Sequence, residues 1–304
     1  MKTVNHIKIK GKMSVNELIK QMDSCGVLAS GRLGKATNIC EQMIKEKDCN
    51  VFLGLAGPLV PGGMREIIMD IIDNNWVDVV VTTGATLTHD LGEALGYRHY
   101  QGDANMDDAE LHKKGFDRVY ESLMPNKIYE GIEDFIDKHY ESLKKNKSIR
   151  EFLWELGKLT PKRSILKACY ENKIPIFCPA IADSGIGLMM WGQLARGKTC
   201  EIRVFEDMKE IMDIAWTSKK AGVIYFGGGV PKNYIQQSMQ LAPKSATYGV
   251  QITMDRPEPG GSSGAELKEG ISWGKMNPKG RFVDLICDAT IAMPLIYAAL
   301  KERL

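Results

Sequence analysis

Apolar and polar positions follow two patterns that alternate along this chain. Short apolar runs, such as 51–57 and the β-branched run 77–83, are each followed by a segment with helical spacing. Such runs are typical of buried strands, and strand–helix units in succession predict a parallel sheet with right-handed crossovers. The same patterns predict strands at 174–179, 222–226, 248–254 and 282–287, and helices at 64–72, 91–95, 165–170, from about 232 onward and at 289–302.

Two regions do not follow this alternation of predicted strands and helices. Ser14 is a predicted N-cap with Glu17 three residues later, a pattern typical of a capping box, and a second helix is predicted from about 33 to 47. We therefore predict an N-terminal helical arm over 1–48 and one doubly wound α/β domain, with a mostly parallel sheet, over 49–304. The polar segment 97–148 is predicted to be an insertion with helices around 128–143, and its opening, 97–103, is either a ligand site or a polar loop.

Composition and charge narrow the class of protein. The 304 residues carry a formal net charge of +2, with 44% hydrophobic and 26% charged positions. These values are ordinary for a globular protein and give no reason to expect a partner nucleic acid. The N-terminus lacks an apolar signal segment, and no run of about 20 apolar residues is present, so we expect a cytoplasmic protein that does not enter a membrane.

Cysteine and histidine usage gives further expectations. The seven cysteines include no Cys-x-x-Cys pair, and the five histidines show no metal-ligand spacing. Buried reduced thiols suit the cytosol. The sequence therefore predicts no disulfide framework and no metal site.

Glycines mark the carboxyl ends of several predicted strands, where an open parallel sheet binds its ligands. The run Gly227-Gly228-Gly229 allows close backbone approach, and free N–H groups at the next helix favour the phosphates of a dinucleotide; a tight structural turn is the alternative. The pair Thr83-Gly84 ends a second strand. Asp183 and Asp288 each follow a strand, where an acid either holds ribose hydroxyls or caps the next helix.

A second candidate site lies between Glu269 and Lys275. A lysine forms imines readily when its ammonium is partly desolvated. Trp273 offers an aromatic face that attracts organic cations, and the carboxylate of Glu269 can pair with an amine. The upstream loop 259–264 is glycine-rich and could fold over a ligand. From these residues alone, Lys275 is either a reactive amine or a surface lysine.

The chain resembles the deoxyhypusine synthase family in motifs that agree in order and spacing. The central one is Ser-Trp-Gly-Lys at 272–275, which is similar to the reactive-lysine motif of that family. The resemblance covers roughly residue 29 to the C-terminus. The other matching segments are Val-Val-Thr-Thr-Gly at 80–84, Cys-Pro-Ala at 178–180 with Asp183, Gly-Gly-Gly-Val at 227–230, Ser-Gly-Ala at 263–265 and Asp-Ala at 288–289.

This resemblance implies a Rossmann-like homotetramer with active sites at dimer interfaces. Members use NAD to oxidise spermidine, release 1,3-diaminopropane, and pass the aminobutyl group through a lysine imine to one lysine of translation initiation factor 5A. On this resemblance Lys275 is the covalent carrier, and Glu269 and Trp273 belong to the polyamine site. The positions that match the family's NAD contacts are Thr83, Gly84, Asp183, Gly228, Asp288 and Ala289.

Some positions depart from the eukaryotic members of the family. Those members carry acids where this chain has His89, Leu188 and Ser262, and a histidine where it has Asn233; Lys232-Asn233 and His89-Asp90 fit the archaeal and bacterial branch. We expect His89 and Asn233 to contact the polyamine. Because an amide cannot act as a general base at neutral pH, the group that moves protons in place of the histidine stays open.

Three functions are compatible with these observations. The leading prediction is deoxyhypusine synthase, an NAD-dependent transferase of aminobutyl groups with spermidine and factor 5A as partners. The second is a homospermidine synthase-like aminobutyltransferase that uses a small diamine as acceptor. The third is an inactive NAD-binding scaffold, which the intact Ser-Trp-Gly-Lys motif argues against. A plain dehydrogenase would not require the lysine.

Overall fold

A computed structural model describes residues 1–145 and 148–304. The helices are α1 (Val15–Cys25), α2 (Leu28–Lys45), α3 (Arg65–Asp73), α4 (Gly84–Ala94), α5 (Asp108–Lys113), α6 (Lys127–Leu143), α7 (Ile149–Leu159), α8 (Ile165–Glu171), α9 (Gly185–Ala195), α10 (Val204–Thr217), α11 (Gly229–Leu241) and α12 (Ala289–Arg303). The strands are β1 (Cys49–Leu55), β2 (Val79–Thr82), β3 (Tyr100–Gln101), β4 (Phe116–Val119), β5 (Ser122–Pro125), β6 (Ile176–Phe177), β7 (Lys220–Phe226), β8 (Ala246–Thr253) and β9 (Met276–Ile286).

A six-stranded, mostly parallel sheet has the strand order β6-β2-β1-β7-β8-β9. The ladders β1–β7, β7–β8 and β8–β9 are parallel, with Val51 opposite Gly222 and Val250 opposite Val283. Strand β2 is buried along its whole length and β1 along nearly all of it, as apolar runs of strands covered on both faces require. The predicted α/β class with a mostly parallel sheet is confirmed.

The chain divides into two compact units. Unit 1 comprises Met1–Ala56, Trp76–Val81 and Glu210–Leu304, and unit 2 comprises Gly57–Asn75 and Thr82–Lys209. In unit 1, α1 and α2 pack on each other, on α12 and, through α2, on β9. Strands β1, β7, β8 and β9 and helices α11 and α12 therefore share one unit with the N-terminal helices.

The start of unit 1 shows how local sequence sets its helices. The predicted capping box is present, because the Ser14 hydroxyl accepts from the Glu17 N–H at 3.2 Å and the Ser14 N–H donates to Glu17 Oε2 at 2.8 Å. Gly26, with φ of 76°, ends α1 in the left-handed conformation. Helix α2 then begins at Leu28, earlier than predicted, since a two-residue turn is sufficient to reverse the chain.

Strand β9 also differs from its predicted bounds. It begins at Met276 and runs for 11 residues, whereas the sequence predicts a strand from 282. Pro278 and Gly280 lie in the added half, and both residue types weaken strand assignments. They are tolerated because β9 is the last strand of the sheet order and its outer half is partly exposed.

Unit 2 contains the polar segment predicted to be an insertion, of which residues 146 and 147 lie outside the described residues. The predicted helix near 128–143 is α6, and a three-stranded antiparallel sheet, β3-β5-β4, precedes it. These strands are short and half-exposed, so they lack the apolar alternation that would reveal them. Helices α7 and α9 were not predicted either, although Ser148 and Ser184 cap them through their hydroxyls.

Candidate active site

Lys275 occupies the junction between a short 3-10 helix, Leu267–Ile271, and strand β9. Its N–H donates to the Gly270 carbonyl at 2.8 Å, and its own carbonyl accepts from the Ala246 N–H at 3.1 Å. The preceding residue, Gly274, has φ of 71°, a left-handed turn that favours glycine. The backbone of the predicted reactive lysine is therefore held on both sides, while its side chain extends from a tight turn.

A cleft of about 370 Å³ in unit 1 brings together four residues predicted from the sequence: Lys275, Trp273, Glu269 and Asn233. The Lys275 Nζ lies 4.9 Å from the centroid of the Trp273 ring, within the range of a cation–π contact. The indole is 57% exposed, so it remains available to an incoming organic cation. Ring, carboxylate, amide and amine thus line one opening.

A second lysine in the same cleft, Lys232, was not singled out as a site residue from the sequence. It is buried, and its Nζ donates to the carbonyls of Ser262 and Ala265, each at 2.6 Å. Burial lowers the pKa of Lys232 to about 8, although the carboxylates of Asp284 and Glu269 oppose the shift. This amine ties α11 to the loop that precedes Lys275.

Acidic side chains balance the two lysines. Asp284 is largely buried, accepts a hydrogen bond from the Leu267 N–H at 3.0 Å, and has its pKa raised to about 6 by burial. Glu269 is exposed at the cleft, where its carboxylate can meet a cation from solvent. The cleft therefore offers an acceptor for a polyamine at its rim, and Asp284, outside the cleft lining, acts electrostatically on Lys232.

The triple glycine forms a tight turn, which is one of its two predicted readings, and the dinucleotide contact stays a prediction. Gly227 has φ of 81°, and an added Cβ would lie 2.7 Å from the Ala56 carbonyl oxygen, so it forms a tight turn. At Gly228 a Cβ would lie 2.5 Å from the Ser263 Cα, so two backbones approach closely. The Gly229 N–H donates to Ser263 Oγ at 2.8 Å, and α11 has no side-chain N-cap. N–H groups at this helix end suit an anionic group.

Asp288 caps α12, one of the two roles predicted for it. Its Oδ1 accepts from the Thr290 N–H at 2.7 Å and from the Thr290 hydroxyl at 2.6 Å. Ala289 is the first residue of that helix. Within 1–145 and 148–304, Oδ2 has no partner, so the same carboxylate can cap the helix and still accept from a ligand hydroxyl.

The remaining predicted cofactor residues belong to unit 2. Thr83 is the N-cap of α4 and accepts from the Thr86 N–H at 3.3 Å. Gly84 packs so closely on Ser184 that a Cβ would lie 2.4 Å from the serine Cβ. Asp183 is exposed, directly before that serine, which itself caps α9. Unit 2 therefore presents a hydroxyl, a glycine and a carboxylate at neighbouring helix starts.

His89, also in unit 2, is part of a chain of hydrogen-bonded side chains. Its Nδ1 lies 2.9 Å from His99 Nε2, and His99 Nδ1 lies 2.9 Å from Glu93 Oε1. His99 and Glu93 were not predicted as site residues. The position of His99 within 97–103 was the available signal, but a sequence does not show which histidine it meets.

Metal ligands and membrane-spanning helices were also sought in the described parts of the chain. Over 1–145 and 148–304, no group of three or more His, Cys, Asp or Glu side chains is arranged to hold a metal ion. In the same ranges, every helix is too short or too polar to cross a membrane.

Comparison with known proteins places the chain among named relatives. The family model of deoxyhypusine synthase matches residues 17–300. The relative named probable deoxyhypusine synthase 1 from Methanosarcina mazei is 43% identical over 303 residues, covering 99% of this chain and 95% of the relative. The relative of the same name from Archaeoglobus fulgidus is 41% identical over 297 residues, covering 97% of each.

Solved structures agree on the fold. The crystal structure of a presumed deoxyhypusine synthase from Entamoeba histolytica has a TM-score of 0.63 and 20% identity, covering 96% of both chains. The ternary complex of AgrE with ornithine and NAD+ has a TM-score of 0.53 and 11% identity, covering 88% of this chain and 33% of that one. At these identities the likeness concerns the fold alone.

The mostly parallel sheet defines an α/β protein with a lysine-bearing cleft in unit 1. The family model spans most of the chain, and relatives above 40% identity cover it almost completely. The chain therefore belongs to the deoxyhypusine synthase family.

Proposed function

We propose that the protein is a deoxyhypusine synthase, which transfers the aminobutyl group of spermidine, through an imine on Lys275, to a lysine of translation initiation factor 5A. The observation that carries this proposal is the contrast between the two lysines of the cleft. Nζ of Lys232 is engaged by two carbonyls, whereas Nζ of Lys275 has no hydrogen-bond partner in 1–145 and 148–304 and lies against Trp273. Lys275 is therefore the amine that is free to react.

NAD is the cofactor we propose, and the residues present fit it. The start of α11, where the N-cap is Gly228 and has no side chain, and the open Oδ2 of Asp288 suit a phosphate-linked ligand with ribose hydroxyls. The residues that would hold it are Thr83, Gly84, Asp183, Gly227, Gly228, Gly229, Asp288 and Ala289. When bound, NAD accepts and returns a hydride, which protein side chains cannot do. The AgrE complex, in which about a third of the chain has a similar fold, contains NAD+.

The side chains of the cleft supply the remaining chemistry. The faces of Trp273 and the carboxylate of Glu269 attract the ammonium groups of a polyamine, and the amide of Asn233 can hydrogen-bond to them. Lys275 attacks the imine carbon of the oxidised polyamine, a C–N bond to Lys275 forms, and 1,3-diaminopropane leaves. Covalent attachment divides one difficult transfer into two easier ones.

Replacing the lysine tests this assignment. Lys275→Ala should abolish aminobutyl transfer and the NAD-dependent release of 1,3-diaminopropane from spermidine that accompanies it. Because the Lys275 side chain lies in the amine site, NAD affinity measured by calorimetry should change by less than about threefold. Lys268→Ala is the matched control, since Lys268 is exposed on the 3-10 helix that precedes Lys275. Transfer that survives in Lys275→Ala, or is lost equally in Lys268→Ala, would contradict the proposal.

The acceptor is a separate part of the proposal. Labelled spermidine and NAD are incubated with the protein and either purified factor 5A or a small diamine, and both proteins and free amines are analysed by mass spectrometry. We expect label on one lysine of factor 5A. Label only on the diamine would replace factor 5A with the homospermidine synthase-like acceptor.

We also propose a homotetramer, which light scattering can test.

A further inference from the structure

We infer that Glu266 is a substrate-binding residue, which pairs with a terminal ammonium group of the polyamine and so complements Glu269. The inference rests on the proposed function and names the feature by which the amine site selects its donor, namely two or more positive charges along one chain. Glu266 was not singled out from the sequence, and the chemistry proposed above makes no use of it.

Glu266 forms part of the wall of the lysine-bearing cleft. It lines the cleft together with Glu269, Trp273 and Lys275, and all four belong to unit 1. Of the described residues that line the cleft, Glu266 and Glu269 are the acidic ones, and Lys232 and Lys275 are the basic ones. A polyamine brings several positive charges, and each carboxylate of the lining can form a charge-assisted hydrogen bond with one of them.

The carboxylate of Glu266 is available to a ligand. The residue is exposed, and although it is the N-cap of the 3-10 helix Leu267–Ile271, its side chain makes no capping hydrogen bond. Throughout 1–145 and 148–304, neither a hydrogen-bond donor nor a cationic side chain pairs with it. The fold therefore does not use this carboxylate, and its charge is left for a partner from solution.

The short helix sets the spacing of the two glutamates. The Glu269 N–H donates to the Glu266 carbonyl at 3.0 Å, which is the contact of a 3-10 turn. Residues three apart lie on one side of such a helix, and a rise of about 2 Å per residue separates them by roughly 6 Å along the axis. Two ammonium groups joined by three or four methylene groups are a comparable distance apart, so the pair of carboxylates suits two charges of one polyamine.

The two glutamates differ in their position relative to the reactive lysine. The Lys275 N–H donates to the carbonyl of Gly270, the residue next to Glu269. Glu266 lies at the other end of the 3-10 helix, before its first residue. We therefore expect Glu266 to act on the binding of the polyamine and not on the carbon that Lys275 attacks.

Glu266 also borders a smaller cavity of about 220 Å³, which contains Arg32 and Arg256. Arg32 uses Nη1 to donate to the Asp284 carbonyl at 2.8 Å, and within the described ranges neither arginine forms an ion pair with Glu266. Burial is the main cause of the raised pKa of Asp284, and the negative charge of Glu266 adds to it. Because a cation bound at Glu266 would relieve this repulsion between carboxylates, the electrostatics favour its binding.

Steady-state kinetics of 1,3-diaminopropane release test the role. Glu266→Gln keeps the shape of the side chain and removes its charge. The KM for spermidine should rise about 5- to 20-fold, between the effects of an exposed ion pair and of a hydrogen bond to a charged group, while kcat, NAD affinity and the thermal unfolding midpoint stay nearly unchanged. Glu258→Gln is the matched control and should leave the KM unchanged, because Glu258 is an exposed glutamate that borders the smaller cavity but not the cleft.

Spermidine analogues test whether the loss comes from one specific pair. N-butyl-1,3-diaminopropane and N-propyl-1,4-diaminobutane each lack one terminal ammonium group of spermidine. Binding is measured by calorimetry with NADH, which cannot oxidise the amine. Spermidine should bind Glu266→Gln about 5- to 20-fold more weakly than the unmodified protein. At least one analogue should bind both proteins equally, because it lacks the ammonium group that Glu266 contacts.

The results that overturn the inference differ from those that overturn the proposed function. An unchanged KM in Glu266→Gln, or an equal rise in Glu258→Gln, would end this role alone. Equal weakening for spermidine and both analogues would also end it, since the variant would then disturb the cleft as a whole. No release of 1,3-diaminopropane by the unmodified protein would end the proposed function.

Discussion

Asp288 shows how one side chain at a strand end can serve both the fold and a ligand. One carboxylate oxygen caps α12 through the N–H and hydroxyl of Thr290. The other oxygen has no partner among residues 1–145 and 148–304. The sequence leaves open whether Asp288 caps a helix or contacts a ribose, and these two roles are compatible in one side chain.

Substitution can separate the two roles of Asp288. A serine hydroxyl caps helices about as well as aspartate but has no second oxygen, so Asp288→Ser should leave the thermal unfolding midpoint nearly unchanged. The loss of a hydrogen bond to a charged group corresponds to roughly 10- to 100-fold in affinity, and we expect NAD binding to weaken by that factor in calorimetry.

The control for this experiment is Asp107→Ser, because Asp107 caps α5 through the N–H groups of Ala109 and Glu110 and has no proposed ligand. It should leave NAD affinity unchanged. Equal NAD affinity in Asp288→Ser and the unmodified protein would show that Asp288 is only a cap.

Among single residues, the sequence predicts those that belong to a recognisable motif and misses those whose role depends on burial in the folded chain. Lys275, Trp273, Glu269 and Asn233 were expected in one site and line one cleft. Lys232 lines the same cleft, but the hydrogen bonds of its amine to two carbonyls depend on how a loop folds back. The pairing of His89 with His99 likewise depends on a turn that no local pattern specifies.

At the scale of elements, a buried ion pair connects three helices of unit 2. Asp90 on α4 is fully buried, accepts from Arg65 Nε of α3 at 2.8 Å and from the Leu166 N–H of α8 at 3.3 Å. Arg65 also donates to the Arg163 carbonyl. Burial raises the pKa of Asp90, and the charge of Arg65 opposes that shift. The pair therefore fixes the helix that carries His89.

Breaking this pair should be costly for stability. Arg65→Met leaves a buried carboxylate without its partner, which destabilises proteins by about 3–5 kcal/mol, and urea unfolding should show a loss of that order. Arg118→Met is the matched control, because Arg118 pairs with Asp108 at the surface, where ion pairs contribute little. Equal losses in the two variants would show that Asp90 gains no special stability from Arg65.

Elements differ in how well the sequence predicts them. Strands such as β1 and β7 are continuous apolar runs, and they were predicted within a few residues. Helix α9 was missed because glycines at 185, 187 and 192 resemble a loop. Gly187 is required there, since a Cβ would lie 2.5 Å from the Ala182 carbonyl oxygen. Close packing thus selects a residue that weakens the local helical signal.

At the scale of the whole molecule, the sequence predicts the fold class but not the order of the strands in the sheet. Alternating strands and helices indicate a parallel sheet, and this is confirmed. The order β6-β2-β1-β7-β8-β9 depends on which strands pair across long intervening segments, and no sequence periodicity encodes this pairing. The predicted arm over 1–48 and domain over 49–304 remain predictions, while the compact units each combine segments that are distant in sequence.

Covalent trapping of the working protein shows directly whether Lys275 carries the aminobutyl group. The protein is incubated with NAD and spermidine, reduced with borohydride, digested and analysed by mass spectrometry. We expect one aminobutyl adduct on Lys275, dependent on NAD and absent in Lys275→Ala. An adduct on Lys232, or no adduct on Lys275 while 1,3-diaminopropane is released, would contradict it.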